Sequence, residues 1–179
     1  MDPSTYILPD QFWAGTEHSL DVYRQAYAQI DARLAAGYME PDEDEEDEPP
    51  YLYQQEGNVA IIKIHGSLVN RQSFLNRYYG ITAYADIREA MIYAAEQTGV
   101  EAIVLDINSG GGAVAGVHDT SALIGRINSQ VKPVYTISDG TMASAAYWLG
   151  SSARRVWIAP TTLAGSIGVV MVHTEYSKA

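Results

Sequence analysis

The sequence contains no cysteine. That excludes disulfides, thiolate catalysis and cysteine-ligated zinc in one step. Long apolar runs are also missing: none approaches the ~20 residues needed to span a bilayer. The start, Met1-Asp2-Pro3-Ser4, lacks the basic stretch and apolar segment of a signal peptide. These absences lead us to expect a soluble, cytoplasmic protein without a membrane partner. Basic residues are scarce and scattered, so there is no stripe for nucleic acid. The four histidines, His18, His65, His118 and His173, show no metal-ligand spacing, and no metal or cofactor is expected.

The net charge of −11 is unevenly distributed. Eight acids lie between Glu40 and Glu48, and without them the balance is −3. This run ends at Pro49-Pro50 and reads as a solvated linker over residues 39–50, or as an acidic decoy or interaction segment. Before it, an N-terminal helical arm is expected over residues 1–38. Tyr23, Ala26, Tyr27, Ile30 and Leu34 share one helical face there, and Gly37 is a plausible stop.

Residues 51–179 read as an α/β domain. Val59–Ile64, Ala102–Ile107, Val134–Ile137, Val156–Ile158 and Ile167–Val172 are strand candidates. The run Ala102–Ile107 is nearly continuous in apolar residues, which suits a strand buried on both faces. Helices are expected over Tyr84–Gln97, Val114–Ser129 and Ser144–Gly150. Ile87, Ala90, Met91, Ala94 and Ala95 form the apolar stripe of the first. Strands alternating with helices imply right-handed crossovers and a mostly parallel sheet covered by helices.

Three segments can carry chemistry. Asn108-Ser109-Gly110-Gly111-Gly112 follows a strand and precedes a helix, so backbone N–H groups can converge on an anion. That anion could be a phosphate or the oxyanion of a tetrahedral intermediate. The bland reading is a tight turn with no ligand. A rival is a dinucleotide site, because Gly110-Gly111-Gly112-Ala113-Val114-Ala115 fits G-x-G-x-x-A, with Asp139 as the ribose-binding acid. The second segment, Met142-Ala143-Ser144-Ala145-Ala146, sets a serine among small residues at a strand-to-helix turn. Ser144 is either a nucleophile or a serine that caps its helix. The third, Ala164-Gly165-Ser166-Ile167-Gly168-Val169, reads as a turn entering a strand, where Ser166 could be a secondary hydrogen-bonding group.

In their order and spacing the three segments resemble the signature segments of the signal-peptide-peptidase-A family of serine peptidases. Val59–Gly66 resembles its first core strand. Val114-Ala115-Gly116 and Gly168–His173 are similar to head-maturation proteases of lambda-like phages. The resemblance covers about Val59 to Ala179. It implies a crotonase-like and Clp-protease-like spiral of ββα units whose C-terminal part is missing here. It implies Ser144 as nucleophile, with backbone N–H groups of Gly111 or Gly112 and of Ala145 forming an oxyanion hole. Gly110 stands where the family often has proline, which loosens the loop. The implied partners are capsid scaffold, portal or head proteins, and the implied assembly is a homo-oligomeric ring.

The family's base is a lysine well downstream of the serine, beyond Ala179. Such a lysine must be neutral to accept the serine proton. Lys63, Lys132 and Lys178 match no family base, and a pairing of Ser144 with His173 is the lesser option. Two other readings stand beside the peptidase: an inactive assembly fragment that keeps the fold, and a dinucleotide- or acyl-CoA-binding enzyme on a related fold.

Overall fold

The computed structural model describes residues 12–36, 49–70 and 76–171. The acidic run, His173 and Lys178 lie outside the described residues.

The chain is built from repeated pairs of strands, most followed by a helix. In the first pair, β3 (Val59–His65) leads into the short β4 (Ser67–Val69), then β5 (Ile81–Ala83) and helix α2 (Tyr84–Glu96). In the second, β6 (Ala102–Asn108) and β7 (Gly111–Ala113) precede α3 (Val117–Gln130). In the third, β8 (Val134–Ser138) and β9 (Thr141–Ala143) precede α4 (Ala145–Ser151). A further pair, β10 (Arg155–Ile158) and β11 (Leu163–Gly165), follows, then β12 (Val170–Met171). Ahead of them all stand β1 (Phe12–Gly15), α1 (Glu17–Ala35) and β2 (Tyr53–Glu56).

The long first strands line up in one sheet in the order β10-β8-β6-β3-β2, parallel except for β2. The short second strands leave that sheet. β4 and β7 enter a second sheet ordered β12-β1-β7-β4-β5, and β9 pairs with β11. This is the expected α/β spiral of ββα units, with a mostly parallel sheet and helices packed on it.

The core follows the periodicity of the side chains. β3 and β6 bury alternate residues: Ala60, Ile62 and Ile64 in one, Ile103, Leu105 and Ile107 in the other. The intervening residues are half-buried, so β6 is not enclosed equally on both faces as its apolar run suggests. Helix α2 presents Ile87, Ala90, Met91 and Ala94 to the core, with Ala95 at its margin. Burying one such large aliphatic side chain stabilises by about 1.5–3 kcal/mol.

Two boundaries differ from expectation. Helix α3 starts at Val117 rather than Val114, because Gly116 adopts the left-handed conformation (φ 94°) and ends the preceding turn. The strand expected over Ile167–Val172 is reduced to Val170–Met171, with residues 166–169 outside any strand and Val172 outside the described residues. The N-terminal arm is not separate from the domain at its helix. Leu20 and Ala26 of α1 join the core, and the helix packs near β4 and β7.

Candidate active site

The first two strands of each unit end where the chain turns from one sheet to the other, and the candidate residues collect at those turns. At the end of β6, Ser109 Oγ donates to Gly66 O at 2.6 Å and accepts from Gly111 N–H at 3.1 Å. One hydroxyl thus fastens the glycine turn to the turn after β3. Asn108 Oδ1 accepts the Thr141 N–H at 3.1 Å, tying the same turn to the start of β9. A Cβ at Gly140 would lie 2.5 Å from Asn108 Oδ1, so a larger residue there would have to push that side chain from its bond to Thr141. The Ser109 N–H donates to Thr141 O and the Ala143 N–H to Ser109 O, so the glycine turn and the strand before Ser144 run side by side.

Gly111 takes φ 93°, a left-handed value that glycine adopts without penalty. Gly112 is needed for a different reason: a Cβ there would sit 1.8 Å from Leu68 O of β4. Behind β7, the buried Tyr84 hydroxyl donates to Ala113 O at 2.6 Å. Burial raises the Tyr84 pKa, so the phenol stays protonated and remains a donor.

Ser144 occupies the turn between β9 and α4 with φ 54° and ψ −117°. Such a conformation costs a non-glycine residue about 1–3 kcal/mol and is held only when its surroundings over-determine it. The surroundings are visible: the Ser144 N–H donates to Gly165 O at 2.7 Å, and its carbonyl accepts the Trp148 N–H at 2.9 Å. Its hydroxyl makes no cap to its own helix; it donates to Gly168 O at 3.2 Å. The helix-cap reading of Ser144 is therefore corrected. The side chain is held at the site because the twisted backbone turns it away from α4.

The backbone donors sort themselves. The Gly111 N–H is taken by Ser109 Oγ, and the Ser144 N–H by Gly165 O. The Ala145 N–H, first in its helix, has no acceptor among the described residues. Gly112 lies on the strand β7 that borders the site. Ser166 is exposed and also carries a left-handed φ of 54°, which continues the turn of Gly165. It sits two residues before the carbonyl that receives Ser144 Oγ.

The glycine segment does not sit at a helix N-terminus as expected. Gly111–Ala113 is a strand, and α3 begins only at Val117. A dinucleotide fingerprint needs its glycines to open the helix, so that reading loses its geometric basis. Among the described residues no group of three His, Asp or Glu could hold a metal, and no helix is long and apolar enough to cross a membrane. Of the lysines, Lys132 donates through Nζ to Ala94 O at 3.0 Å and Gln97 O at 2.6 Å, so it caps α2. Lys63 lies within β3 opposite Asp106 of β6.

Fold and site together define the class: a ββα-spiral α/β protein in which a strained serine, Ser144, follows a strand paired with the glycine turn and meets a second small-residue turn at Gly165 and Gly168. The sequence comparisons then say what the chain is similar to. Residues 126–179 match the model of Peptidase family S49. The chain is 36% identical over 127 residues to capsid assembly protease C of Escherichia phage lambda, covering 71% of this chain and 29% of that protein. It is 34% identical over 129 residues to head-tail preconnector protein GP5 of Enterobacteria phage P21, covering 72% of this chain and 26% of that one. Protease 4 of Salmonella typhi is 32% identical over 113 residues, which cover 63% of this chain and 18% of that protein. The resemblance to S49 peptidases and phage head proteases is thus shown, and the chain spans less than a third of the length of these relatives. Among solved structures, an enoyl-CoA hydratase from Polaromonas sp. JS666 matches at a TM-score of 0.48 and 18% identity, over 62% of this chain and 48% of that one.

Proposed function

We propose that this chain is the nucleophile-bearing part of a serine endopeptidase that processes scaffold, portal or head proteins during phage capsid assembly. The observation that carries the proposal is Ser144 itself: a serine in a costly backbone conformation whose hydroxyl does not cap its helix but donates to Gly168 O, and which follows a residue, Ala143, paired with Ser109 at the head of the glycine turn. The S49 family match supports it, since residues 126–179 include this turn.

In this reading Ser144 Oγ attacks the peptide carbonyl carbon while its proton passes to a neutral lysine amine. Burial must lower that amine's pKa for it to accept a proton near neutral pH. Neither described lysine serves: Lys132 is occupied as a helix cap and Lys63 belongs to a core strand. The base is assigned to a lysine downstream of Ala179, as in the family. The tetrahedral oxyanion takes hydrogen bonds from Gly112 and Ala145 N–H groups. Loss of one such donor typically costs on the order of a hundredfold or more in rate. Collapse expels the amine, which leaves with the proton, and water then hydrolyses the acyl-serine. Ser166 is a secondary polar group at the rim.

Ring assembly belongs to the same proposal. Val156, Trp157 and Ile158 are exposed along β10, the outer strand of the main sheet, which suits a surface covered by another copy. The test is cleavage of a purified scaffold protein by the full-length gene product, followed on gels and by mass spectrometry. Ser144→Ala is expected to reduce cleavage to background. Undiminished cleavage in that variant overturns the nucleophile assignment.

A further inference from the structure

One inner strand of the second sheet, β1, comes from the far N-terminal side of the chain. β1 pairs antiparallel with β7 on one side, Trp13 opposite Ala113, Ala14 opposite Gly112 and Gly15 opposite Gly111. On its other side it pairs antiparallel with β12, Phe12 opposite Met171 and Trp13 opposite Val170. Both flanks lead to the serine. β7 continues from the glycine turn that runs beside Ala143, and β12 follows the Gly168 carbonyl that receives Ser144 Oγ.

The hydrogen-bond register is more specific still. The Thr16 N–H donates to Gly110 O at 2.9 Å. Antiparallel ladders alternate between bonded and non-bonded pairs, so with Thr16 and Gly110 bonded, Gly15 and Gly111 are not, and Ala14 and Gly112 are. The Gly112 N–H therefore faces the Ala14 carbonyl. This is the same amide that the proposed mechanism aims at the oxyanion.

We infer that β1 is the chain's own occupant of the substrate groove, seated as an extended peptide substrate would be, with the Ala14 carbonyl in the place of the scissile carbonyl. This rests on the reading of Ser144 as the nucleophile. Extended peptides bind by adding a strand to exposed edges, where main-chain hydrogen bonds supply affinity. β7 and β12 are the two edges that flank Ser144, and β1 fills both. Because α1 follows directly and is anchored by Leu20 and Ala26, the strand is tethered at high effective concentration. A protein substrate must displace it. The peptide class that would do so is an unstructured segment able to pair on both sides, with small residues opposite the glycines, as Ala14 and Gly15 are here.

The test uses the full-length gene product and a fluorophosphonate probe that labels an activated serine. In Ala14→Pro the strand loses the N–H that pairs with Gly112 O. If the groove is open in about one molecule in ten of the unaltered protein, labelling of Ser144 and turnover of unfolded casein should rise about tenfold in the variant. A synthetic peptide spanning residues 9–18 should slow the variant's labelling again. Equal labelling rates in the two proteins would overturn the occupant and leave the nucleophile standing. No labelling in either folded protein would instead overturn Ser144 and the occupant with it. A second measurement avoids the proline. In Ser144→Ala, a saturating casein peptide should speed hydrogen exchange at the Ala14 amide, and unchanged exchange with bound peptide would sink the inference.

Discussion

Ser109 and Gly112 show how much of the site is held by residues that do no chemistry. The Ser109 hydroxyl ties two turns together and consumes the Gly111 N–H, which is why the proposed mechanism turns to the Gly112 N–H, opposite Ala14, for the oxyanion. Gly112 is also tightly enclosed: three Leu68 backbone atoms, O, C and N, lie within 2.6 Å of where its Cβ would be. Backbone cannot swing aside as a long side chain can. Gly112→Ala is expected to lower stability by more than ~4 kcal/mol or to prevent folding, read as the loss of the thermal transition. Gly125 gives the contrast. It lies inside α3 with nothing within 4 Å of an added Cβ, so Gly125→Ala should stabilise by about 0.5–1 kcal/mol through helix propensity alone.

At the scale of elements, the ends of helices decide which polar residues are free to act. α2 ends at Glu96, and its last carbonyls are met by the Lys132 ammonium, delivered from the turn between α3 and β8. Desolvation lowers the Lys132 pKa, but its hydrogens are already engaged with carbonyls. Lys132→Met should cost about 1–3 kcal/mol, as expected for bonds from a charged donor to the carbonyls at a helix C-terminus. Denaturant unfolding reads that loss, while fluorophosphonate labelling of Ser144 should be unchanged. A lysine acting as the base would abolish labelling when replaced. α4 shows the opposite arrangement. Its first residue follows a serine that does not cap it, so the serine hydroxyl is turned to Gly168 O instead of to the helix.

For the whole molecule, the two sheets carry different duties. The main sheet β10-β8-β6-β3-β2 holds the buried aliphatic core, whereas the second sheet brings the glycine strand, β1 and β12 together beside Ser144. The outer strand β10 leaves Trp157 51% exposed, with Ile158 and Val156 alongside and Tyr135 stacked at 5.4 Å between ring centroids. A solvated edge this apolar is suited to burial against a second copy. If β10 is the contact of the proposed ring, Trp157→Lys shifts the full-length protein toward smaller species in sedimentation velocity while leaving its circular dichroism intact. An unchanged sedimentation profile would overturn β10 as that contact.

The sequence by itself determined the order of the long elements and marked Ser144 as the candidate nucleophile. Period-two burial in β3 and β6 and the helical stripe of α2 are local properties, written in consecutive residues, and so were the three small-residue turns whose spacing pointed to S49 peptidases. What only the tertiary structure decided was which amide is free and which strand lies next to which. The three-residue strands β4, β7 and β9 leave no periodic trace, and β1 meets β7 across almost a hundred residues of chain. Those pairings arise because unmet backbone groups at the turns must find partners in space, and no local pattern of side chains encodes that choice. The same rule explains why the glycines turned out to be a strand beside the site rather than the start of a helix.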